Sequence, residues 1–481
     1  MSICNNARRR SLRDLYFYLV FTNLFRFSVF CSHIILVVDL PATLSAKTTT
    51  EGKSIDMPHN NDRDALSIKQ NMLWNSSGSI VYLACQWLIT VLVVRLSNGY
   101  DAAGVLALGM AVSNIISPIG YYKIRSFQVS DIQNEYSPNE YIALRLVTIG
   151  AALVVMLFYG AATCSTDVLF EVYLYGIYSC GPLFADVFQG IDQQKMRMDI
   201  IGKDLILRGL LSITAFVLIM LATNLLAASI IGMIVVTFLE LIVFLLPKTK
   251  ALCRSIRPVF NACKIKKLLI QCLPAVIALF FSNAVPSIPR QVLGDMYGST
   301  ALGAYASIAA PVLIVQMGAQ YVYSPLLGIF ATKMHDGDYS GFLRLFSKTT
   351  FCIILITLLA LVFFLLFGEQ VFGILYGESI TAYMYLLTPL VICTALTAFI
   401  WFIGDLLIVL RMFKSNLIGY LVSFIVCSAS MSFFLSTFGL NGASYAIITG
   451  FASGLACFLI MMIHYIRAIR NQTAVRPSPN P

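Results

Sequence analysis

The sequence predicts an all-α, polytopic transmembrane helical bundle, and both its composition and its apolar runs indicate this class. Of 481 residues, 58% are hydrophobic and 12% charged, and the mean hydropathy is +0.82; soluble domains carry about 25% charged residues. The apolar runs extend over roughly 20 residues, the length that a helix needs to cross a bilayer. Barrel strands are shorter and alternate in polarity. Because backbone polar groups in lipid must be satisfied within the segment, these runs are expected to be helices.

Twelve apolar runs follow the first 70 residues, six on each side of a basic segment. They are expected at 75–94, 104–122, 143–162, 167–188, 205–223, 225–246, 268–288, 304–328, 350–368, 383–404, 416–435 and 442–465. An alternative extends the tenth run past Asp405 to about residue 410, and splitting it would move the C-terminal tail to the other side. The predicted domains are a first six-helix lobe at 71–247, a basic cytoplasmic linker at 248–267, a second six-helix lobe at 268–468 and a cytoplasmic tail at 469–481.

Basic residues are distributed unevenly between alternate gaps. With the start of the bundle in the cytoplasm, the inner gaps hold 22 Lys and Arg residues, and the outer gaps hold only Arg95 and Arg290. Short cytoplasmic loops are enriched in Lys and Arg, so both ends of the bundle are predicted to be cytoplasmic. The same rule accounts for the net charge of +10 without a nucleic-acid partner, and it lets the loops contact anionic membrane lipids.

Residues 1–70 do not fit this pattern. An apolar run from Leu15 to Leu40 follows four arginines, and a span or a cleaved signal peptide there would reverse every later helix. Three interpretations are open: an amphipathic element in the interface, a poorly ordered extension, or a translation start at Met57 or Met72. We expect an atypical extension that is non-spanning or disordered.

The two halves resemble each other. Arg95 precedes Gly104 by nine residues, and Arg290 precedes Gly303 by thirteen. In each half a Ser-Pro pair also begins fourteen residues before an Asp. Parallel repeats are common in transporters, where the substrate binds between them. The unequal first spacing leaves the repeat as a hypothesis.

Three segments carry a family resemblance. From Asn71 the chain reads NMLWNSSGSIVYLACQWLITVLVVRLSNGYDAAGVLALGMAVSNIISPIGYYKIRSFQVSD, with a terminal Arg-Leu, a short loop and a Gly opening the second helix. From Leu273 it reads LPAVIALFFSNAVPSIPRQVLGDMYGSTALGAYASIAAPV, with an early Pro, an Arg before an apolar-Leu-Gly step, and Leu-Gly-Ala-Tyr. VFGILYGESI follows the ninth span. Over residues 71–468 the chain therefore resembles polysaccharide flippases of the O-antigen and capsule type, in the multidrug/oligosaccharidyl-lipid/polysaccharide exporter superfamily.

The resemblance implies a fold and an activity. The fold is two six-helix bundles related by a pseudo-twofold along the membrane normal around a central cavity. The activity is translocation of a polyprenyl-diphosphate-linked oligosaccharide across the bacterial inner membrane, by alternating access, for lipopolysaccharide or capsule biosynthesis. Such a protein is not an enzyme, and its partners would include the polysaccharide polymerase and the chain-length machinery.

Arginine suits a diphosphate, because a guanidinium keeps its charge and can form two parallel hydrogen bonds with phosphate. We expect Arg290 first and Arg95 second to face the cavity; headgroup anchoring by snorkelling is the alternative. Gln86, Asn283 and Gln320 are the preferred polar candidates for the substrate, against the alternative of hydrogen bonding between helices. Further wall candidates are Asn75, Asn114, Gln271 and Gln316.

Transport against a gradient needs coupling, and no G-x-x-x-x-G-K-[ST] loop for ATP occurs in the chain. Intramembrane carboxylates are the candidates for proton or sodium coupling. Glu240 is the deepest, with an aqueous cleft as its alternative surrounding; Asp186 and Asp405 are expected near cytoplasmic helix ends. No cofactor or metal site is expected.

Two other function classes compete with the flippase. A cation-coupled exporter of small drugs or metabolites from the same superfamily predicts carboxylates, not arginines, in the first-lobe cavity. A membrane glycosyltransferase or polymerase predicts a large outer loop, and the longest outer gap here is about 15 residues. The sequence has no HExxH, no nucleophile elbow and no paired Asp motif for a metal and diphosphate.

Overall fold

The computed structural model describes residues 66–475 except 98, 132–134 and 254, and it contains helices and no strand within that range. The predicted N-terminal extension lies almost entirely outside the described residues. Eleven helical stretches in the described range are long and apolar enough to span a membrane. The protein is therefore a multi-pass membrane protein with the predicted all-α class.

Among the described residues, eight helices lie between residues 68 and 252, the part of the chain that we call the first lobe. They are α1 (Ile68–Leu96), α2 (Asp101–Tyr121), α3 (Ile124–Ser130), α4 (Pro138–Thr163), α5 (Thr166–Gln194), α6 (Met198–Thr223), α7 (Leu226–Glu240) and α8 (Leu246–Leu252). A π-helical turn, Leu241–Leu245, joins α7 to α8, so that the sixth predicted span is one continuous helix.

Seven helices lie between residues 262 and 475, the part of the chain that we call the second lobe. They are α9 (Ala262–Val312), α10 (Ile314–Tyr323), α11 (Leu327–His335), α12 (Tyr339–Tyr376), α13 (Leu387–Val409), α14 (Phe413–Phe438) and α15 (Asn441–Val475). The stretch Ala262–His335 holds the seventh and eighth predicted spans, which are separated at Gly298 by a φ of +83°. A 3-10 segment, Glu378–Leu386, precedes α13. Asp405 lies inside α13, so the extended form of the tenth span is the observed one.

Hydrogen bonds at two equivalent turns support the repeat. Asp131 accepts hydrogen bonds from the backbone N–H groups of Glu135 and Tyr136 ahead of α4. Asp338 accepts one from Gly341 N at the start of α12 and a second from Lys333 Nζ. Each Asp is the residue fourteen positions after the start of a Ser-Pro pair, and each accepts a backbone hydrogen bond near the start of the next long helix. The turns differ in detail, because Asp338 is the N-cap of α12 whereas Ser137 is the N-cap of α4.

The lobes contact each other where α2 packs along α9. A Cβ at Gly104 would lie 1.7 Å from the carbonyl oxygen of Ser299, and one at Gly303 would lie 2.0 Å from that of Tyr100. Each glycine thus meets the carbonyl four residues before the other glycine. A twofold axis requires this reciprocal pattern, so the two glycines mark where the pseudo-twofold passes between the lobes.

The outside of the bundle is apolar, as lipid contact demands. α12 is the clearest case, because its most apolar stretch is only 17% buried. Phe351, Leu359 and Leu366 are among its exposed side chains. The most buried apolar stretches are those of α2 and α13, because these two helices pack among other helices.

Candidate functional site

A polar cavity of about 300 Å³ lies inside the first lobe, between α1, α2, α5 and α6. Tyrosines, amides and hydroxyl groups dominate its wall, with three charged side chains at one end. The lining residues are Tyr82, Gln86, Ser113, Asn114, Ser117, Tyr121, Arg125, Tyr175, Tyr178, Ser179, Pro182, Leu183, Asp186, Gln189, Leu205 and Arg208.

Helical periodicity brings these residues together. On α5 the lining positions 175, 178, 179, 182, 186 and 189 repeat every three or four residues and form one face. Tyr82 and Gln86 are four apart on α1, and Ser113, Ser117 and Tyr121 are four apart on α2. The apolar remainder of each helix contacts other helices or lipid. The same spacing of polar residues is visible in the sequence, from which Gln86, Asn114 and Asp186 are predicted as site or wall residues.

Hydrogen bonds organise the wall. Gln86 Nε2 donates to the Tyr178 hydroxyl at 2.8 Å. The Arg125 guanidinium donates to Gln189 Oε1 at 2.8 Å and to Gln193 Oε1 at 2.9 Å. Arg125 also lies 3.7 Å from Asp186 Oδ1. The cavity wall is thus held in place by side chains that bond to each other across α1, α3 and α5.

Two arginines that the charge count places on the inner side, Arg145 and Arg208, are buried within helices. Arg145 on α4 is fully buried and pairs with Asp186. Arg208 on α6 is 1% exposed and pairs with Asp204 one turn earlier. A buried charge needs a close partner, and each of these has a carboxylate in contact. The spacing of Asp204 and Arg208 was the available sequence signal.

Glu240 lies behind the cavity in a buried cluster rather than in an aqueous cleft. Its Oε2 is 3.6 Å from Arg208 Nε, and its side chain is 1% exposed. Asp204 Oδ2 accepts a hydrogen bond from Gln189 Nε2 at 2.6 Å, which connects the cluster to the cavity wall. Two carboxylates therefore share one guanidinium in a buried setting.

Arg95 binds protein carbonyls. Its Nε donates to Leu375 O at 2.7 Å and its Nη2 donates to Gly373 O at 3.2 Å and to Ile374 O. These are carbonyls in the last turn of α12, where helical C=O groups often lack a backbone partner, although Gly373 O also accepts the backbone N–H of Gly377 at 2.9 Å. The adjoining Tyr100 hydroxyl is 3.1 Å from Ser379 Oγ in the segment after α12. Arg95 therefore joins the end of α1 to the end of α12.

Arg290 has different surroundings. Its side chain is half-buried on α9, and its Nε is buried without a hydrogen-bond partner among the described residues. Tyr305 and Cys393 lie within electrostatic range of its charge.

The Nε atoms of Arg145 and Arg208 also lack a hydrogen bond, but both guanidinium groups pair with a carboxylate, whereas Arg290 forms no ion pair with any residue that the structure describes. A buried guanidinium nitrogen without a partner is costly unless a ligand or water binds it. Arg290 is thus available to an anionic group in a way that Arg95 is not.

The remaining sequence candidates lie in separate places. Asn283 Nδ2 donates to Asn114 O at 3.0 Å and lies 3.5 Å from Ser117 Oγ, so it links α9 to the rim of the cavity. Gln320 is exposed on α10. Asp405 is half-buried and accepts a hydrogen bond from the Tyr323 hydroxyl at 3.1 Å. Gln86, Asp186 and Asn283 therefore lie together at the cavity, whereas Gln320 and Asp405 do not line it.

Sequence comparison gives one curated relative and no matching family model. The chain is 24% identical over 309 residues to the capsular polysaccharide biosynthesis protein CapF of Staphylococcus aureus, covering 63% of this chain and 75% of that protein.

Solved structures with the same fold are transporters. An inward-facing multidrug resistance MATE family transporter of the MOP superfamily matches with a TM-score of 0.67 and 13% identity, over 83% of this chain and 99% of the other. An outward-facing structure of that kind gives 0.54 and 14% identity, over 84% and 95%. A mutant of the Vibrio cholerae MATE transporter VcmN gives 0.59 and 12% identity, over 84% and 96%. The fold is that of the MATE transporters, which agrees with the fold that the resemblance inferred from the sequence implies.

Proposed function

We propose that this protein is a flippase for a polyprenyl-diphosphate-linked oligosaccharide in surface polysaccharide biosynthesis, acting by alternating access in a bacterial inner membrane. The observation that carries the proposal is Arg290, whose buried Nε has no partner among the described residues. The diphosphate would bind there and satisfy the guanidinium. Similarity to a capsular polysaccharide biosynthesis protein supports the same substrate class.

The orientation rests on the positive-inside rule, with both ends of the bundle cytoplasmic. In that orientation Arg95, Tyr100 and the Gly104–Gly303 crossing lie on the outer side, where the two lobes are in contact. The higher TM-score with an inward-facing transporter agrees with a closed outer side. This conformation is the one that would accept a substrate from the cytoplasmic leaflet.

The coupling site of the proposed cycle is the cluster of Asp204, Arg208 and Glu240. One guanidinium neutralises only one of two carboxylates, and a second buried negative charge favours uptake of a proton or cation. We predict that Glu240→Gln abolishes ion dependence of transport and leaves binding of undecaprenyl diphosphate unchanged. Transport in vesicles with imposed proton or sodium gradients measures this, and a variant that keeps its gradient dependence contradicts the role of Glu240.

A cation-coupled exporter of small drugs or metabolites is the second candidate. The MATE fold and the buried carboxylates favour it. It does not account for the partnerless nitrogen of Arg290, since a cationic drug would be repelled there. Among the residues that line the cavity there is one carboxylate, Asp186, and it pairs with Arg125 and Arg145.

Complementation decides between the two functions. The full chain is expressed in a strain that lacks its polysaccharide flippase, and surface polysaccharide is measured together with membrane protein level. Restored polysaccharide supports the flippase. Absence of restoration by a well-expressed protein that confers resistance to ethidium supports the exporter instead.

A further inference from the structure

We propose that the first-lobe cavity is a sugar subsite, which receives one or two sugar residues of the lipid-linked glycan while Arg290 holds the diphosphate. This inference rests on the proposed function and adds which part of the substrate occupies which part of the protein. At about 300 Å³ the cavity lies at the lower end of the roughly 300–1,000 Å³ of small-molecule pockets. It therefore suits the sugar next to the diphosphate, and a longer repeat unit would extend beyond it.

The wall has the chemistry that recognises a pyranose ring. Tyr175 and Tyr178 present rings with centroids 5.5 Å apart and inclined at 58°, which form an angled apolar surface. The C–H face of a sugar can pack on such rings, as other apolar groups pack on aromatic faces. Tyr82 and Tyr121 add two more rings to the same cavity. Four tyrosines in so small a space provide stacking surface and hydroxyl groups together.

Unused hydrogen-bonding groups complement these rings. The Tyr175 hydroxyl and the Asn114 carboxamide make no hydrogen bond to any residue that the structure describes, and Asn114 is exposed in the middle of α2. Gln86 uses its Nε2 on Tyr178, which leaves its Oε1 as an acceptor. Amides and hydroxyls of this kind can donate to and accept from the hydroxyl groups of a sugar.

The charge balance favours a neutral ligand. Asp186 is paired with Arg125 and Arg145, and Arg208 is paired with Asp204 and Glu240. Summed over these six groups, the three negative and three positive charges cancel, although Asp186 has two arginine partners and Arg208 has two carboxylate partners. A cation or an anion entering the cavity would break pairs that are already formed, whereas a polyhydroxylated neutral group leaves them intact.

The position of the cavity relative to Arg290 fits one substrate. Asn283, at the cavity rim, and Arg290 are seven residues apart on α9. Seven residues are two helical turns, so the two side chains share a face at a separation of about 10 Å. A diphosphate at Arg290 therefore places its first sugar toward Asn283, Asn114 and Ser117. This geometry assigns the two ends of the headgroup to the two lobes.

The test is a binding comparison on the purified full-length protein in lipid nanodiscs. The probes are undecaprenyl diphosphate and its three forms carrying a single glucose, galactose or N-acetylglucosamine. Wild type is expected to bind at least one glycosylated probe about threefold to tenfold more tightly than undecaprenyl diphosphate, the range that one aromatic stacking contact provides.

Tyr175→Leu and Asn114→Ala are expected to remove most of this preference and to keep the affinity for undecaprenyl diphosphate. Tyr385→Leu, at an exposed tyrosine outside the cavity, is the matched control.

Each contrary result has its own meaning. A wild type without preference for any of the three sugars, or cavity variants that keep the full preference, overturns the sugar subsite and leaves the proposed function standing. A wild type that binds undecaprenyl diphosphate no better than undecaprenol overturns the proposed function as well. Ethidium binding that depends on Tyr175, without a sugar preference, also overturns the subsite and favours the exporter. If Tyr175→Leu melts early, Asn114→Ala and Tyr175→Phe keep the test open, since the first leaves Tyr175 unchanged and the second keeps an aromatic ring at this position.

Discussion

Arg95 and Arg290 follow the first and seventh predicted spans, yet their contacts differ. Arg95 bonds to three carbonyls at the end of α12, whereas Arg290 Nε has no partner in the described chain. Their positions within the spans give the reason. Arg95 is the last residue but one of α1, which ends at Leu96, whereas Arg290 lies eight residues before Gly298, where the seventh span ends. Arg290 is therefore about two helical turns from the end of its span, and Arg95 is at the end of its own.

The largest effect is expected at Arg290. Arg290→Ala should abolish export and lower the affinity for undecaprenyl diphosphate about tenfold to hundredfold, since hydrogen bonds to charged groups contribute about 1.5–3 kcal/mol. Arg290→Lys should restore part of both, because it keeps charge and loses the two-pronged geometry. Complementation and probe binding measure these, with Arg344→Ala at an exposed arginine of α12 as control. Full export by Arg290→Ala would remove the residue from the mechanism.

The glycine crossing should give the second largest effect. Gly303→Ala places a methyl group 2.0 Å from the Tyr100 carbonyl oxygen, and overpacking of this kind typically costs about 1–3 kcal/mol. We expect a lower melting temperature and reduced export. Gly150→Ala is the matched control, because a Cβ there has nothing within 4 Å. Equal melting curves for the two variants would show that the crossing is looser than the structure indicates.

Arg95→Ala tests the comparison most directly. It should lower stability by about 1 kcal/mol through lost hydrogen bonds to the end of α12 and reduce export only in part. The affinity for undecaprenyl diphosphate should stay within twofold of wild type. If that affinity falls as far as in Arg290→Ala, Arg95 binds the substrate as the sequence first suggested, and the two arginines act as a pair.

Asp338→Asn should have the smallest effect. Hydrogen bonds from Lys333 and the Gly341 N–H lower the pKa of Asp338 from 3.8 to about 2. A lowered pKa stabilises the folded state above the unfolded value, and that stabilisation is lost as the pH falls toward 2. The melting temperature of Asp338→Asn should therefore lie slightly below wild type at pH 7 and approach it near pH 2. A constant difference across this range would mean that the carboxylate charge is unimportant.

The sequence was sufficient for the fold because hydropathy and length decide which segments cross a membrane. Each of the twelve predicted spans lies within an observed helical stretch, to within one residue at its ends, and Gly298 separates the seventh from the eighth. The lobe boundaries and the site roles stay predictions.

The site was less predictable because hydropathy does not give the rotation of a helix or its neighbours. The partner of Arg95 lies 280 residues away in the chain. Arg145 and Arg208 looked like loop charges, since a buried arginine is recognisable only once its carboxylate is known. The tyrosine face of α5 was visible as a periodic pattern, but only packing against α1 and α2 turns it into a cavity.

The backbones of α2 and α9 touch at Gly104 and Gly303, with no side chain between them. At this level the two lobes cannot come any closer. No side chains lie between the two backbones that could rearrange and let the helices slide past each other. Any change of shape must either part the helices at this point or tilt them about it. If the helices tilt, the crossing is the pivot, and its depth in the bilayer determines how far the two ends of the bundle move.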